Sequence, residues 1–120
     1  MDCIFCKIAK KEIPSKFVFE DDTVMAIMDI NPLCDGHILI IPKEHYATIF
    51  DAPKDILYHM VEVAKEITPK IYEKLGYQGC TYSINYGDKQ EIKHLHMHVM
   101  PDFKESPKHS VEEIYDKLMS

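Results

Sequence analysis

The chain has 120 residues, 46% of them hydrophobic and 28% charged, which is the size and composition of one globular domain spanning residues 1–120. No apolar run approaches the roughly 18 residues that cross a membrane, so the sequence predicts no membrane contact. The net charge of −6 argues against nucleic acid as a partner, because electrostatic binding along a phosphate backbone needs many basic residues.

The N-terminal segment has an acid at Asp2 and no basic flank before a long apolar region, which is not typical of a secretory signal. We therefore expect a cytoplasmic location, where the four cysteines stay reduced. Reduced cysteines are better candidates for metal ligands or core side chains than for disulfides. Only Cys3 and Cys6 have a spacing that suggests a shared ligand.

The first half of the chain is predicted to form a short helix, a hairpin and a buried strand. Apolar runs on either side of the acidic turn at 20–22 favour two paired strands, and the segment NPLCDG is typical of a turn. The predicted ranges are 4–10 for the helix, 16–20 and 23–30 for the hairpin strands, 31–36 for the turn and 37–42 for the buried strand.

The second half begins with a predicted long helix. Apolar residues at helical spacing run from Leu57 to Leu75, with Asp51 as the predicted cap and Gly76 as the predicted stop. Pro69 lies inside this segment and should kink or restart the helix, because it lacks a backbone donor.

Two period-two patterns follow the helix and predict antiparallel strands over 80–86 and 94–100, joined through GDKQ at 87–90. The segment 110–120 has the cap and spacing of a short amphipathic helix. Strands, one long helix and more strands together predict an α+β fold with a mostly antiparallel sheet.

Three histidines alternate with apolar residues in HLHMHVMP, residues 94 to 101. Alternate side chains of a strand share one face, so His94, His96 and His98 should line one face about 6.7 Å apart, with the residues between them facing the core. Neighbouring imidazoles lower each other's pKa by repulsion, which keeps a neutral ring available to attack phosphorus. A solvated strand face is the alternative interpretation.

The segment QEIKHLHMHVMP resembles the signature of the histidine-triad (HIT) family, in which three histidines alternate with apolar residues. The segments CIFCKIAKKEIPSKFVFEDD, AIMDINP, GHILIIPKEH and SINYGDKQEIKH resemble the nucleoside-phosphoramidase branch of that family, in its bacterial type with an N-terminal Cys-x-x-Cys pair. The resemblance covers a core at 3–101 and leaves the tail at 102–120 outside the motifs. It implies a HIT-like fold, with a five-stranded sheet, one long helix and short terminal helices, and a homodimer.

The resemblance also implies an enzyme that cleaves nucleoside phosphoramidates of purine nucleotides, such as AMP or GMP derivatives. His96 would be the nucleophile and form a nucleotidyl-histidine intermediate. His98 would donate to a phosphate oxygen, and His37 would complete a polar network with His94 that fixes tautomers and handles protons. Without the resemblance, His37 would be interpreted as a strand-end histidine bonded to a carbonyl. A dinucleoside polyphosphate hydrolase and a non-catalytic nucleotide- or zinc-binding adaptor remain as alternatives.

The resemblance assigns further residues to substrate binding. Asp29 matches a ribose-binding carboxylate, and the alternative is an aspartate that caps the turn after it. Asn85 and Gln90 match polar residues around the α-phosphate and the leaving group, although alone they would pass for turn residues. The apolar residues assigned to the nucleoside, most of which could equally be the buried face of a short helix, are Ile4, Phe5, Ile8, Ile13 and Ile30.

Two positions depart from the family pattern. Glu91 stands where many relatives carry Ser or Thr, and a carboxylate there could alter which leaving group is preferred. Lys89 stands where glycine is common, in a connection that is shorter than in many members, so the phosphate pocket could be reshaped.

A zinc site is also implied by the resemblance. Some bacterial members with the N-terminal cysteine pair bind zinc, and the matching ligands here are Cys3, Cys6, His45 and His94. Such an ion would be structural, because four protein ligands leave no open position for water, and it would remove His94 from proton transfer. The alternative is two half-buried thiols and a surface histidine.

Overall fold

The structure is a computed structural model that describes residues 3–102 and 106–120. The predicted α+β architecture, with one long helix and short terminal helices, is confirmed. Within the described ranges, we find no helix that is long and apolar enough to cross a membrane. The elements are α1 (Ile4–Ala9), β1 (Phe17–Glu20), β2 (Val24–Met28), β3 (Ile38–Pro42), α2 (Lys54–Leu75), β4 (Cys80–Ser83), β5 (Met97–Pro101) and α3 (Val111–Met119).

The five strands form one sheet in the order β1-β2-β3-β5-β4, and all four pairings are antiparallel. The hairpin of β1 and β2 is present as predicted. Strand β3 lies at the centre, and its Leu39 pairs with His98 of β5. This pairing brings the residue that precedes β3, His37, next to the histidine segment.

Each face of the sheet is covered by different helices. On one face, α2 and α3 pack on strand residues such as Ala26, Ile40 and Val99 in the larger core cluster. On the other face, α1 packs through Phe5 and Ile8 on a smaller cluster. The core therefore lies mainly under α2, and the opposite face is left to α1 and polar side chains.

The long helix begins later than predicted. Its N-cap is Pro53, so the predicted cap at Asp51 is wrong. The Asp51 carboxylate instead accepts hydrogen bonds from the backbone and the hydroxyl of Thr48, both at 2.9 Å, which closes a separate turn before the helix. The helix then continues through Pro69 without restarting, and Gly76 ends it as predicted, with a positive φ of 77° that glycine adopts without strain.

The two strands that flank the connection at 84–96 are displaced from their predicted bounds. Strand β4 ends at Ser83 and β5 begins at Met97, so the predicted ranges 80–86 and 94–100 are wrong at those ends. The reason is that the backbone amide of Leu95 donates to Tyr46 in the loop after β3, at 2.7 Å, instead of to the neighbouring strand.

The C-terminal tail docks on the turn that precedes β3. The buried carboxylate of Asp35 accepts from the backbone amides of Lys108 and His109 and from the His109 ring. The predicted terminal helix is present as α3, and Ser110 caps it in a reciprocal box with Glu113. Its apolar side packs into the larger core cluster, so the tail is part of the folded body.

Candidate active site

The three alternating histidines lie at the start of β5. Only His98 belongs to the strand, whereas His94 and His96 precede it in irregular backbone, so the prediction that one strand carries all three is wrong. The apolar residues between them are buried in the larger core, as predicted. The rings of His96 and His98 contact each other with centroids 5.0 Å apart, while the His94 ring turns toward the N-terminal segment.

His96 directs one ring nitrogen away from the backbone. Its Nδ1 lies 2.7 Å from the backbone oxygen of His94 and must donate to it, because a carbonyl oxygen only accepts. The lone pair of the neutral ring is therefore at Nε2. The ring of Phe5 lies edge-on against His96 with centroids 5.2 Å apart, and His96 is only 7% exposed. Packing and the hydrogen bond together fix which nitrogen can react.

A chain of hydrogen bonds fixes the proton of His98. The backbone amide of Leu33 donates to Nδ1 of His37 at 3.0 Å, so neutral His37 carries its proton at Nε2. That nitrogen lies 2.9 Å from Nδ1 of His98 and donates to it. The remaining proton of His98 must then be at Nε2, which is 3.5 Å from the amide of Asn85. The Asn85 atom at this distance is Nδ2, which also only donates, so in this tautomer the two N–H groups do not bond to each other and both are available to an acceptor at this point.

The partners of His37 differ from those predicted. Its ring contacts His98 and lies 3.5 Å from the carboxylate of Asp29, and it does not contact His94. The predicted network between His37 and His94 therefore becomes a network between His37 and His98. His94 is occupied elsewhere, beside two cysteines.

Burial favours the neutral form of both rings in this pair. Burial, together with the nearby rings of His96 and His37, lowers the pKa of His98 to about 4. Burial also lowers the pKa of His37, against the opposing effect of Asp29. The hydrogen bonds also favour the neutral form of His98, because a second proton on its ring would face the N–H of His37.

We expect His98 to remain the neutral Nε2–H tautomer from neutral pH down to about pH 4. An unfolded chain takes up this proton near its ordinary pKa of 6.5, so the unfolded state binds more protons between pH 6.5 and about 4. The contribution of His98 to the free energy of unfolding is therefore complete above pH 6.5 and falls as the pH falls through that window. Nitrogen-15 shifts of the ring measure both tautomer and pKa. An ordinary pKa, or a proton at Nδ1, would contradict the hydrogen-bond chain.

Asp29 uses its two carboxylate oxygens differently. Oδ1 accepts from the backbone of Asn31 at 2.8 Å, which is the turn-capping interaction, and Oδ2 faces His37. The side chain is 18% exposed, so Oδ2 can still accept from a ligand hydroxyl. Ile30 follows at the surface with 77% exposure. Turn capping and ligand binding are therefore compatible at Asp29.

Asp29, His37 and His98 are close enough to hold a metal ion, with one ligand atom from each within 4.8 Å of the others. The protonation of the His37 ring argues against a metal ion at this position. Because the amide of Leu33 occupies Nδ1 of His37, Nε2 of that ring carries a proton and has no lone pair to offer. We interpret this group as a hydrogen-bond network.

The four apolar residues assigned to the base lie in α1 and just after it. Phe5 and Ile8 are buried in the smaller core cluster, and Ile13 is half-buried against it. Ile4 is 43% exposed. The buried members can only support a binding surface from below, whereas Ile4 is available to contact a ligand.

Asn85 reaches the triad, but Gln90 does not present its donors to it. Gln90 is 3% exposed, and its Nε2 donates to the backbone oxygens of Ala47 and Ile92 at 2.7 and 3.0 Å. Both amide hydrogens are therefore used in tying the connection before β5 to the loop after β3. Lys89 and Glu91, on either side of Gln90, are exposed.

Four metal-ligating side chains from distant parts of the chain meet beside His94. The Cys3 and Cys6 sulfurs lie 3.2 and 3.5 Å from Nδ1 of His94, and Nδ1 of His45 lies 3.1 Å from the same atom. Nε2 of His94 donates to the backbone oxygen of Pro42 at 2.8 Å, so the lone pair at Nδ1 faces the thiols. All four ligand atoms lie within 4.8 Å of one another.

This cluster fits a tetrahedral zinc ion. Zinc bonds of about 2.3 Å to sulfur and about 2.0 Å to nitrogen place neighbouring ligand atoms roughly 3.3 to 3.6 Å apart, close to the separations around His94. The bond from His94 to Pro42 is the kind of second interaction that orients a metal-binding histidine. The donor set is also one that zinc prefers.

Backbone groups that the sequence analysis missed complete the site. The amide of Leu33 fixes His37, and the carbonyls of His94 and Pro42 fix the rings of His96 and His94. Every residue has such groups, so no pattern of side chains could signal them. Their roles depend on where the folded backbone runs.

Comparison with known proteins gives consistent matches. A family model described as the HIT domain matches residues 10–105. The adenosine 5'-monophosphoramidase HNT1 of Saccharomyces cerevisiae is 41% identical over 103 residues, covering 82% of this chain and 61% of the yeast protein. The adenylylsulfatase HINT3 of Arabidopsis thaliana is 38% identical over 102 residues, covering 83% of this chain and 52% of the plant protein. The chain thus spans less than two thirds of either relative.

Among solved structures, the chain is similar to a Zn-bound histidine triad family protein from Mycobacterium smegmatis. The TM-score is 0.90 at 31% sequence identity, and the match covers 98% of this chain and 91% of that one. The similarity extends over the whole described fold, including the N-terminal helix and the tail.

Proposed function

The chain belongs to the HIT domain family, and from that premise we propose that it is a nucleotidyl hydrolase that cleaves purine nucleoside phosphoramidates and releases the monophosphate. The observation that carries the proposal is the ring of His96, whose Nδ1 is bonded to a backbone oxygen while Nε2 keeps its lone pair beside His98. The yeast relative, named as a monophosphoramidase, supports the same class of reaction.

In the proposed reaction, Nε2 of His96 attacks the α-phosphorus, and the bond from phosphorus to the leaving amine breaks. The amine departs with the bonding electrons and takes up a proton from water. Water then attacks the phosphorus of the nucleotidyl-histidine and releases a proton to solvent, which replaces the one taken by the amine. The bond to Nε2 breaks with its electrons returning to the ring, and the monophosphate is released. One difficult displacement is thereby divided into two easier ones.

His98 assists by donating a hydrogen bond and keeps its proton. Its Nδ1 accepts from His37, whose own Nδ1 accepts from Leu33, so loss of the Nε2 proton would leave one of the two rings without any proton. The Nε2–H of His98 is therefore suited to bind a phosphate oxygen as negative charge develops there. The amide of Asn85 adds a second polar group at the same point.

The nucleoside is proposed to lie between α1 and the end of β2. Oδ2 of Asp29 would accept from a sugar hydroxyl, and the exposed side chains of Ile4 and Ile30 would contact the purine. Phe5 and Ile8 support this surface from the core beneath it. An AMP or GMP derivative has both the sugar hydroxyls and the flat apolar base that such a surface needs.

We also propose a structural zinc ion held by Cys3, Cys6, His45 and His94. The Zn-bound relative from Mycobacterium smegmatis supports it, together with the fit of the four ligand atoms. When bound, the ion would tie the N-terminal helix to the backbone that orients His96. Its charge would neutralise the two thiolates, and its four protein ligands would leave no open coordination position.

A homodimer is proposed through β4 and the outer side of α2. Strand β4 is a sheet edge, whereas the opposite edge, β1, is contacted by α3. The hydroxyls of Thr68 in α2 and Tyr82 in β4 lie 2.6 Å apart. Tyr58 and Val61 on α2 and Tyr82 on β4 are 65%, 49% and 45% exposed, which favours a further apolar contact. Sedimentation at micromolar concentration should give about twice the chain mass of 14.0 kDa, and a monomer would contradict the proposal.

The proposed function is tested with a panel of purine nucleoside phosphoramidates and dinucleoside polyphosphates, with bound zinc measured on the same sample. We expect the highest kcat/KM with a phosphoramidate. Faster cleavage of dinucleoside polyphosphates would favour that hydrolase class instead. Saturable nucleotide binding with no turnover, and no nucleotidyl-protein trapped by rapid acid quench, would indicate an adaptor.

A further inference from the structure

The turn between β2 and β3 carries the backbone amide that fixes the proton of the proposed phosphate donor. The amide of Leu33 donates to Nδ1 of His37 at 3.0 Å, and Nε2 of His37 then donates to Nδ1 of His98 at 2.9 Å. Packing holds this part of the turn only weakly, since Ile30 is 77% and Leu33 is 52% exposed. The position of the Leu33 amide therefore depends on the residues that follow it in the turn.

Asp35, two residues after Leu33, ties the turn to the C-terminal tail. Its side chain is 3% exposed. The carboxylate accepts from the backbone amides of Lys108 and His109 at 3.0 and 3.1 Å, and from the His109 ring at 2.7 Å. Burying a charged group is costly unless it is hydrogen-bonded, so these three contacts favour one position of the turn.

We propose that Asp35 is a positioning residue for the triad. By binding the start of the tail, it keeps the Leu33 amide on His37 and so keeps the proton of His98 at Nε2. The proposal rests on the proposed function, because it is in that reaction that His98 donates to a phosphate oxygen. It gives Lys108 and His109, which are not part of the triad segment, an indirect part in the reaction.

The pair of His37 and His98 has two alternative proton arrangements, and the Leu33 amide selects one of them. With the amide in place, neutral His37 carries its proton at Nε2, which points to Nδ1 of His98. Without the amide, Nδ1 of His37 can carry the proton, and Nε2 of His37 can accept from Nδ1 of His98. The lone pair of His98 would then be at Nε2, where it would repel a phosphate oxygen instead of donating to it.

The contacts on either side of Asp35 are anchored in the folded body. The tail continues into α3, whose apolar side is buried in the larger core cluster. On the other side, a Cβ added at Gly36 would come within 2.9 Å of the Leu75 side chain and 3.2 Å of the Pro101 ring, so the chain there packs directly on the ends of α2 and β5. The tail can therefore support the turn, and the Asp35 carboxylate is the contact between them.

The test replaces Asp35 and measures the tautomer of His98 from nitrogen-15 shifts of its ring. Asp35→Ala removes the acceptor, and we expect the proton of His98 to be shared between Nδ1 and Nε2. The kcat for an adenosine phosphoramidate should fall about tenfold to a hundredfold and KM should change less than about threefold, because the donor acts mainly on charge that develops in the transition state. Asp35→Asn should restore most of this loss, since its Oδ1 can still accept from both amides and its Nδ2 can donate to the His109 ring.

Asp21→Ala is the matched control. The Asp21 carboxylate has the same kinds of partner, two backbone amides and one histidine ring, in the turn between β1 and β2. Its loss should lower stability but leave the tautomer of His98 and kcat near wild type. A second variant, His109→Ala, removes only a ring that is 54% exposed, so it should fold and shift the tautomer and kcat as Asp35→Ala does, by a smaller amount.

A folded Asp35→Ala protein in which His98 is still protonated only at Nε2 would overturn the proposal, as would an equal loss of kcat in Asp21→Ala. If Asp35→Ala does not fold, an unshifted tautomer in His109→Ala would overturn it. A shifted tautomer in Asp35→Ala, together with a wild type that shows no turnover, would support the positioning of His98 and overturn the proposed function instead.

Discussion

Replacing His96 with alanine should lower kcat for an adenosine phosphoramidate by roughly four orders of magnitude or more, because the covalent route is lost. The other histidines of the described site have their lone pairs committed. Nδ1 of His94 faces the two cysteine sulfurs, Nδ1 of His37 accepts from a backbone amide, and Nδ1 of His98 accepts from His37. None of them can replace Nε2 of His96 as the nucleophile.

Three measurements separate a lost nucleophile from a damaged fold. The affinity for AMP should change by less than about threefold, since the binding surface remains. Rapid acid quench should trap a nucleotidyl-protein in wild type and none in the variant. His59→Ala is the matched control and should keep wild-type turnover. His59 is bonded to the carboxylate of Asp21, at 2.6 Å, and is not part of the triad. Turnover that survives in His96→Ala would reject the assignment.

Side-chain periodicity predicted the fold because most elements bury one face. The apolar residues at helical spacing in α2 and the apolar runs of β2 and β3 are the residues that the core buries. The structure therefore contains these elements as the sequence patterns predicted. The capping box at Ser110 predicted α3 for a similarly local reason. Element ends were less predictable, because they depend on distant partners. Asp51 has the side chain of a helix cap, yet its carboxylate accepts from the backbone amide of Thr48 and not from the helix.

The candidate site was also predictable only in part. The resemblance indicated which side chains meet, but not which nitrogen of each ring carries the proton. That assignment comes from backbone atoms of Leu33 and His94, which lie close to the rings only in the fold. The motif also assigned Gln90 to the site without indicating that its two amide hydrogens bind the backbone oxygens of Ala47 and Ile92.

Replacing Cys6 with serine or His45 with alanine should lower the midpoint of thermal unfolding by roughly 10 to 20 °C and remove a zinc ion bound one per chain. The four ligands join the start of α1, the loop after β3 and the backbone before β5, so losing the ion releases three segments at once. Cys80→Ser is the matched control, because Cys80 is a half-buried cysteine outside the cluster. Elemental analysis and calorimetric scans measure the two effects.

The same variants separate a structural ion from one that takes part in the reaction. With four protein ligands there is no open position for substrate or water, so kcat of the molecules that remain folded should stay close to wild type at temperatures well below unfolding. A strong chelator should bring the midpoint of wild type down to that of Cys6→Ser, without affecting the variant further. Equal midpoints for Cys6→Ser and Cys80→Ser, with no zinc in wild type, would reject the site. A folded His45→Ala protein that has lost its turnover would instead place the ion or His45 in the reaction.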